Sequence, residues 1–138
     1  MVIAMPKDAI EVQNMLYSAF KSNQPYAIRY PRGSALFEEL EALKLIHQGE
    51  WELFGDLKEA KGILIANGPI VDKFIERINF NKLKVVVVNA RFIKPLDEKM
   101  LVQLEKSKLP IICYEGDMLA AGFGSSLLEY FESIQKQV

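Results

Sequence analysis

The stretch Gly62-Ile-Leu-Ile-Ala-Asn-Gly-Pro69 decides the fold. Its first five residues read as a strand, Asn67-Gly68 turns the chain, and Pro69 suits the first position of a helix. Val71, Phe74, Ile75 and Ile78 then recur at helical spacing. Lys84-Val-Val-Val-Val88 follows as a second strand, apolar on both faces. Two-sided apolarity is what a central parallel strand covered by helices requires. Working outward, Asn89 to Lys94 reads as a loop. Pro95 then starts a helix with Leu96, Met100, Leu101 and Leu104 facing inward, and Asp97 and Glu98 complement the positive end of its dipole. Ile111-Ile-Cys-Tyr114 is a third strand. Gly122-Phe-Gly-Ser125 leads into a last helix carrying Leu127, Tyr130, Phe131 and Ile134 on one side. Strands alternating with helices after residue 50 imply right-handed crossovers. The fold class is therefore α/β, a mostly parallel sheet with helices on both faces.

The region before this is less regular. Asp8 is a good helix N-cap, with Glu11 three positions on in a capping-box arrangement. Val12, Met15, Leu16 and Ala19 form one apolar stripe, and Asn23 and Pro25 end the helix. Tyr26 to Tyr30 reads as a short strand stopped by Pro31 and Gly33. Residues 34–49 have no sustained period and cluster acids at Glu38, Glu39 and Glu41, the reading being a linker with one helical turn. Trp51, Leu53 and Phe54 suggest a strand ending at Gly55. One helix and one strand in the first 33 residues cannot make a core of their own. They are expected to dock on the later part or on a partner.

The chain has 138 residues, half of them hydrophobic and a quarter charged, with a net charge of -1. This suits one domain, or one domain with a piece of another, and excludes a disordered chain. Balanced charge gives no general attraction to nucleic acid or anionic lipid. One cysteine, Cys113, and one histidine, His47, argue against a zinc site. No apolar run reaches the ~18 residues of a membrane helix, and residues 1–8 lack the features of a signal peptide. The expectation is a cytoplasmic protein that meets neither membrane nor nucleic acid.

Several residues are candidates for chemistry. Arg29 and Arg32 flank Tyr30-Pro31 beyond the carboxyl end of a strand, where ligands of open α/β sheets bind. Arginine there can grip a phosphate with paired, charge-assisted hydrogen bonds. The alternative is two solvated arginines beside a turn. Gly122-x-Gly124-Ser125 at a helix start offers free N–H groups to an anion, against the alternative of close packing and a tight helix entry. Glu115 and Asp117 could form a carboxylate pair for acid–base work or a metal, or simply be solvated. His47 reads as a surface histidine, and Cys113 as a small buried hydrophobe without a redox role. No phosphate-binding Walker loop, nucleophile elbow or metal-ligand spacing is present.

Four segments taken together carry a resemblance. They are Met1-Val-Ile-Ala-Met-Pro-Lys-Asp8 leading to Asn14-Met-Leu16; Ala27-Ile-Arg-Tyr-Pro-Arg-Gly33; Val88-Asn-Ala-Arg-Phe-Ile-Lys-Pro-Leu-Asp97; and Glu115-Gly116 with Ala121-Gly-Phe-Gly-Ser125. In this order the chain resembles the 1-deoxy-D-xylulose-5-phosphate synthases among the transketolase-like enzymes, over nearly its whole length. The resemblance implies an intact enzyme that joins pyruvate to glyceraldehyde 3-phosphate with loss of carbon dioxide. Thiamine diphosphate supplies the carbanion chemistry and Mg2+ or a similar divalent ion holds its diphosphate. It implies that residues 1–33 are the tail of the pyrimidine-binding domain, 34–49 a linker and 50–138 the C-terminal domain. Arg29 falls on the family's substrate-phosphate arginine, with Arg32 beside it, and Gly122–Ser125 serves packing.

The departures are as informative. No Gly-Asp-Gly followed by Asn at the metal–diphosphate spacing occurs, and Gly116-Asp117 is followed by Met118. The acid that activates the cofactor ring is not matched either. The chain is thus expected to be a C-terminal part with no catalytic, cofactor-binding or metal-binding residue of its own, inactive alone. Two alternatives stand beside this. One is a regulatory or assembly domain of a split transketolase-like enzyme; the other is an anion-binding domain using Gly122–Ser125. If the first helix lacks its original partner, its apolar face is expected to drive association, as a homodimer.

Overall fold

The structure, a computed structural model, describes residues 1–32, 42–116, 118 and 120–135. The half of the expected linker 34–49 that falls on 34–41, together with Gly33 and Asp117, lies outside the described residues. A four-stranded sheet forms the centre, in the order β3 (Glu52–Phe54), β5 (Val85–Asn89), β4 (Gly62–Ala66) and β7 (Ile111–Tyr114). Strand β4 runs parallel to both β5 and β7, while β3 is antiparallel to β5. The two-sided apolarity of β4 and β5 sorts their residues by alternation. Ile63, Ile65, Val86 and Val88 face one core with Trp51, Leu101, Leu104, Phe123 and Leu127. Ala66 and Val87 face the other, where Val71, Phe74, Ile75 and Ile78 of α2 (Ile70–Phe80) cover them. Helices α3 (Glu98–Ser107) and α4 (Phe123–Gln135) supply the first face, so the sheet carries helices on both sides.

A second sheet was not expected. Its order is β2 (Tyr26–Ile28), β1 (Val2–Ala4) and β6 (Phe92–Lys94), with β1 parallel to β2 and antiparallel to β6. The reading of Asn89 to Lys94 as a loop and of one strand before residue 33 are both corrected here. Three-residue strands are too short to show a period, so their pairing is visible only in three dimensions. Val2, Ala4 and Phe92 are fully buried and belong to the same core as Ile63 and Val88. The N-terminal residues therefore dock on the later part of the chain.

Helix α1 (Ala9–Lys21) begins where its cap predicts: the Asp8 side chain accepts from the Glu11 N–H. Its buried face differs from the expected stripe. Glu11, Asn14, Met15 and Ser18 are buried, whereas Leu16 is 46% exposed and Phe20 88% exposed. Only Met15 of the predicted apolar positions lies in the core. The polar face is satisfied by the segment after residue 42: the Asn14 side chain accepts from Lys44 N–H, and the Ser18 hydroxyl from Ile46 N–H. Helix α3 starts at Glu98, three residues later than expected. Asp97 is its N-cap, accepting from Met100 N–H through one oxygen and from Trp51 N–H through the other.

Candidate functional site

Strand β2 ends at Ile28, two residues sooner than the sequence suggests, and Arg29 follows directly. The Arg29 N–H still donates to the Ala4 carbonyl at 2.8 Å, so its backbone is held by the β1 ladder. The side chains of Arg29 and Arg32 are exposed, as is Tyr30 between them. This places Arg29 at the carboxyl end of the parallel pair β1–β2, the position from which an α/β sheet presents ligand groups.

Behind this tip lies a buried ionic cluster that sequence reasoning missed. Arg91, 7% exposed, stands between β5 and β6. Its guanidinium pairs with Glu52 of β3 at 2.9 Å and with Glu11 of α1 at 3.4 Å, and its Nε donates to the Glu50 carbonyl at 2.7 Å. Asn89 at the end of β5 donates to both Glu11, at 2.8 Å, and Glu52, at 3.2 Å. The second Glu11 oxygen accepts from Lys7 N–H at 2.7 Å. Burial pushes the Glu11 carboxyl up to about 7, helped by the charge of Glu52 and opposed by the Lys7 N–H and by Arg91. A cleft of about 310 Å³ opens over the cluster, lined in part by Lys7, Glu11, Lys44, Glu52 and Arg91. Asn89 and Arg91 lie inside a stretch that the sequence marks as distinctive, Val88 to Asp97. A charge embedded between apolar residues, Ala90 and Phe92, was the available signal.

The glycine-rich start of α4 takes up an anion from its own chain. Glu115 accepts from the Phe123 N–H at 2.6 Å and from the Gly124 N–H at 3.0 Å. The expected solvated acid is thus a helix cap, with its charge at the positive end of the dipole. A side chain on Gly122 would strike the Met118 carbonyl and come within 2.6 Å of both Glu115 oxygens. Glycine is required there for close approach, as the packing alternative held. The anion-binding alternative is corrected: Glu115 already fills that position.

His47 is exposed, as expected. Cys113 is a correction. It is exposed on β7, an outer strand of the central sheet, beside a cleft of about 590 Å³ that includes Met118, Leu127 and Phe131. Partial burial and the neighbouring Glu115 push its thiol up to about 11, away from the reactive thiolate. Among the described residues, no group of three His, Cys, Asp or Glu side chains is arranged to hold a metal ion. No helix among them is long and apolar enough to cross a membrane.

The central sheet with its three covering helices defines the class. The chain belongs to the transketolase C-terminal domain family, whose model matches residues 58–137. Within that class it is similar to enzymes named 1-deoxy-D-xylulose-5-phosphate synthase. It is 41% identical over 138 residues to the one from Listeria welshimeri, covering 96% of this chain and 22% of that protein. The one from Aquifex aeolicus is 40% identical over 144 residues, covering 100% of this chain and 22% of that protein. The chain thus spans about a fifth of the length of the curated relatives it matches. A solved structure described as "Split gene transketolase, inactive beta4 tetramer" superimposes with a TM-score of 0.78 at 23% identity, over 96% of this chain and 44% of that one. That likeness shows the fold.

Proposed function

We propose that the chain is the C-terminal part of a thiamine-diphosphate-dependent synthase that condenses pyruvate with glyceraldehyde 3-phosphate to 1-deoxy-D-xylulose 5-phosphate. In this reading Arg29 grips the substrate phosphate and Arg32 stands beside it as a second, weaker contact. The single observation that carries it is the exposed Arg29 held at the carboxyl end of β1–β2, in a chain about 40% identical to enzymes of that name. Thiamine diphosphate and its Mg2+ would be bound by polypeptide other than these residues, since the sequence carries no Gly-Asp-Gly followed by Asn at the metal–diphosphate spacing. The chain's own task is then to bind and orient a phosphate in a cytoplasmic homodimeric enzyme acting on small molecules. Each charge-assisted bond contributes ~1.5–3 kcal/mol.

Isothermal calorimetry with glyceraldehyde 3-phosphate and with inorganic phosphate tests this. Binding heat is expected for the wild-type chain, with about a tenfold or greater loss in Arg29→Ala and a smaller loss in Arg32→Ala. Heat that persists unchanged in Arg29→Ala would contradict the assignment. With pyruvate, glyceraldehyde 3-phosphate, thiamine diphosphate and magnesium, the chain alone is expected to give no turnover.

A second reading, an assembly domain of a split enzyme, is favoured by the structural likeness to a split-gene transketolase. A separate catalytic chain that becomes active only on mixing with this one would select it.

A further inference from the structure

We propose that Arg91 is a positioning residue for Arg29, fixing the tip of β2 against the central sheet. This rests on the phosphate-binding reading of Arg29. The path is short. The Arg91 carbonyl accepts from the Met5 N–H at 2.9 Å, and the adjacent Ala4 carbonyl accepts from the Arg29 N–H at 2.8 Å. Two backbone hydrogen bonds and one peptide unit therefore join Arg91 to Arg29. Ala4 also stands in register with Ile28 on one side and Phe92 on the other.

Arg91 is itself fixed from three directions. Its side chain reaches Glu11 on α1, Glu52 on β3 and the Glu50 carbonyl before β3. Its neighbour Ala90 donates to the Ala66 carbonyl at the end of β4, at 2.8 Å. The sheet that carries Arg29 has only three-residue strands, and isolated short ladders are marginal. The buried cluster supplies the hold that the ladder lacks. A guanidinium suits this task because its planar fork serves several acceptors at once and keeps its proton. Phosphate grip depends steeply on donor placement, so a loosened β2 tip loses affinity without losing Arg29.

Amide exchange followed by NMR on the 138-residue chain tests this, with a parallel titration by inorganic phosphate. In Arg91→Met the Met5 and Arg29 amides are expected to exchange at least tenfold faster, with Val86 and Val88 changed less than threefold. Phosphate affinity is expected to fall about tenfold. Arg91→Lys should recover part of both losses. Arg91→Met combined with Glu11→Gln and Glu52→Gln leaves no buried charge unpaired, and covers the case in which the single variant does not fold. The same local loss is expected there. Wild-type protection at Met5 and Arg29 in either folded variant would overturn the proposal, and so would an equal loss at Val86 and Val88. Absence of phosphate binding by the wild-type chain would instead fail the Arg29 reading, while exchange at Met5 and Arg29 still decides the positioning.

Discussion

Helices α1 and α2 are docked by opposite chemistry. Helix α2 lays Val71, Phe74, Ile75 and Ile78 on Ala66 and Val87, an interface of apolar side chains. Helix α1 turns Glu11, Asn14 and Ser18 inward with Met15, and leaves Leu16 and Phe20 outside. An apolar interface tolerates a methyl lost here or there. The ion cluster is less forgiving, because its two most buried members, Glu11 and Arg91, would each be left without a full set of partners if the other were removed. The difference places the rigid demand on the face of the molecule nearest Arg29.

That contrast can be broken at several points. Arg91→Met should cost about 3–5 kcal/mol in urea denaturation, since it takes the cation from the buried Glu11 and the half-buried Glu52. Val71→Ala, at the fully buried centre of the α2 face, should cost roughly 1.5–3 kcal/mol. A smaller cost for Arg91→Met than for Val71→Ala would reverse the comparison.

Acidity sharpens it. Glu11 carries a raised carboxyl, at about 7 in the folded chain against 4.5 ordinarily. The folded state therefore holds a proton that the unfolded state has released between those values. Stability must fall as pH rises from about 4.5 to about 7 and level off above, by an amount on the order of 3 kcal/mol. The charged groups that face Glu11 are Lys7, Glu52 and Arg91, with Asp8 paired to Lys7. Glu11→Gln should flatten that slope, as read by thermal melts at several pH values, and an unchanged slope would assign it elsewhere. At the small end, Leu16→Gln on the exposed side of α1 should shift stability by less than about 0.5 kcal/mol.

The same contrast explains what the sequence discloses. The α2 stripe is legible from its helical period, and β4, β5 and β7 from short continuous apolar runs bounded by turn residues. Asp8 is visible as a helix cap, whereas Pro95 drew the expected start of α3 three residues early, so Asp97 read as a dipole charge within the first turn rather than as the cap it is. The α1 face was misread because hydrophobicity marks Leu16 and Ala19, whereas the interface is built from hydrogen bonds to residues distant in sequence, such as Lys44 and Ile46. Strands β1 and β6 are too short for any period. At the candidate site, Arg29 and Arg32 stand out by their place after a strand. Arg91 does not, because its role depends on Glu11, eighty residues away in sequence. Glu115 was placed beside the right loop but with solvent as its partner, since nothing local shows that it folds back on Phe123 and Gly124.

A double-mutant cycle across Glu11 and Arg91 tests the central claim most directly. Urea unfolding of the wild type, Glu11→Gln, Arg91→Met and the double variant yields the coupling between α1 and the β5–β6 connection. The account predicts that the pair couples by more than about 1 kcal/mol, within the range of neighbouring residues in one ionic network. Additive costs, with a coupling below about 0.3 kcal/mol, would show that α1 is held by something other than this cluster.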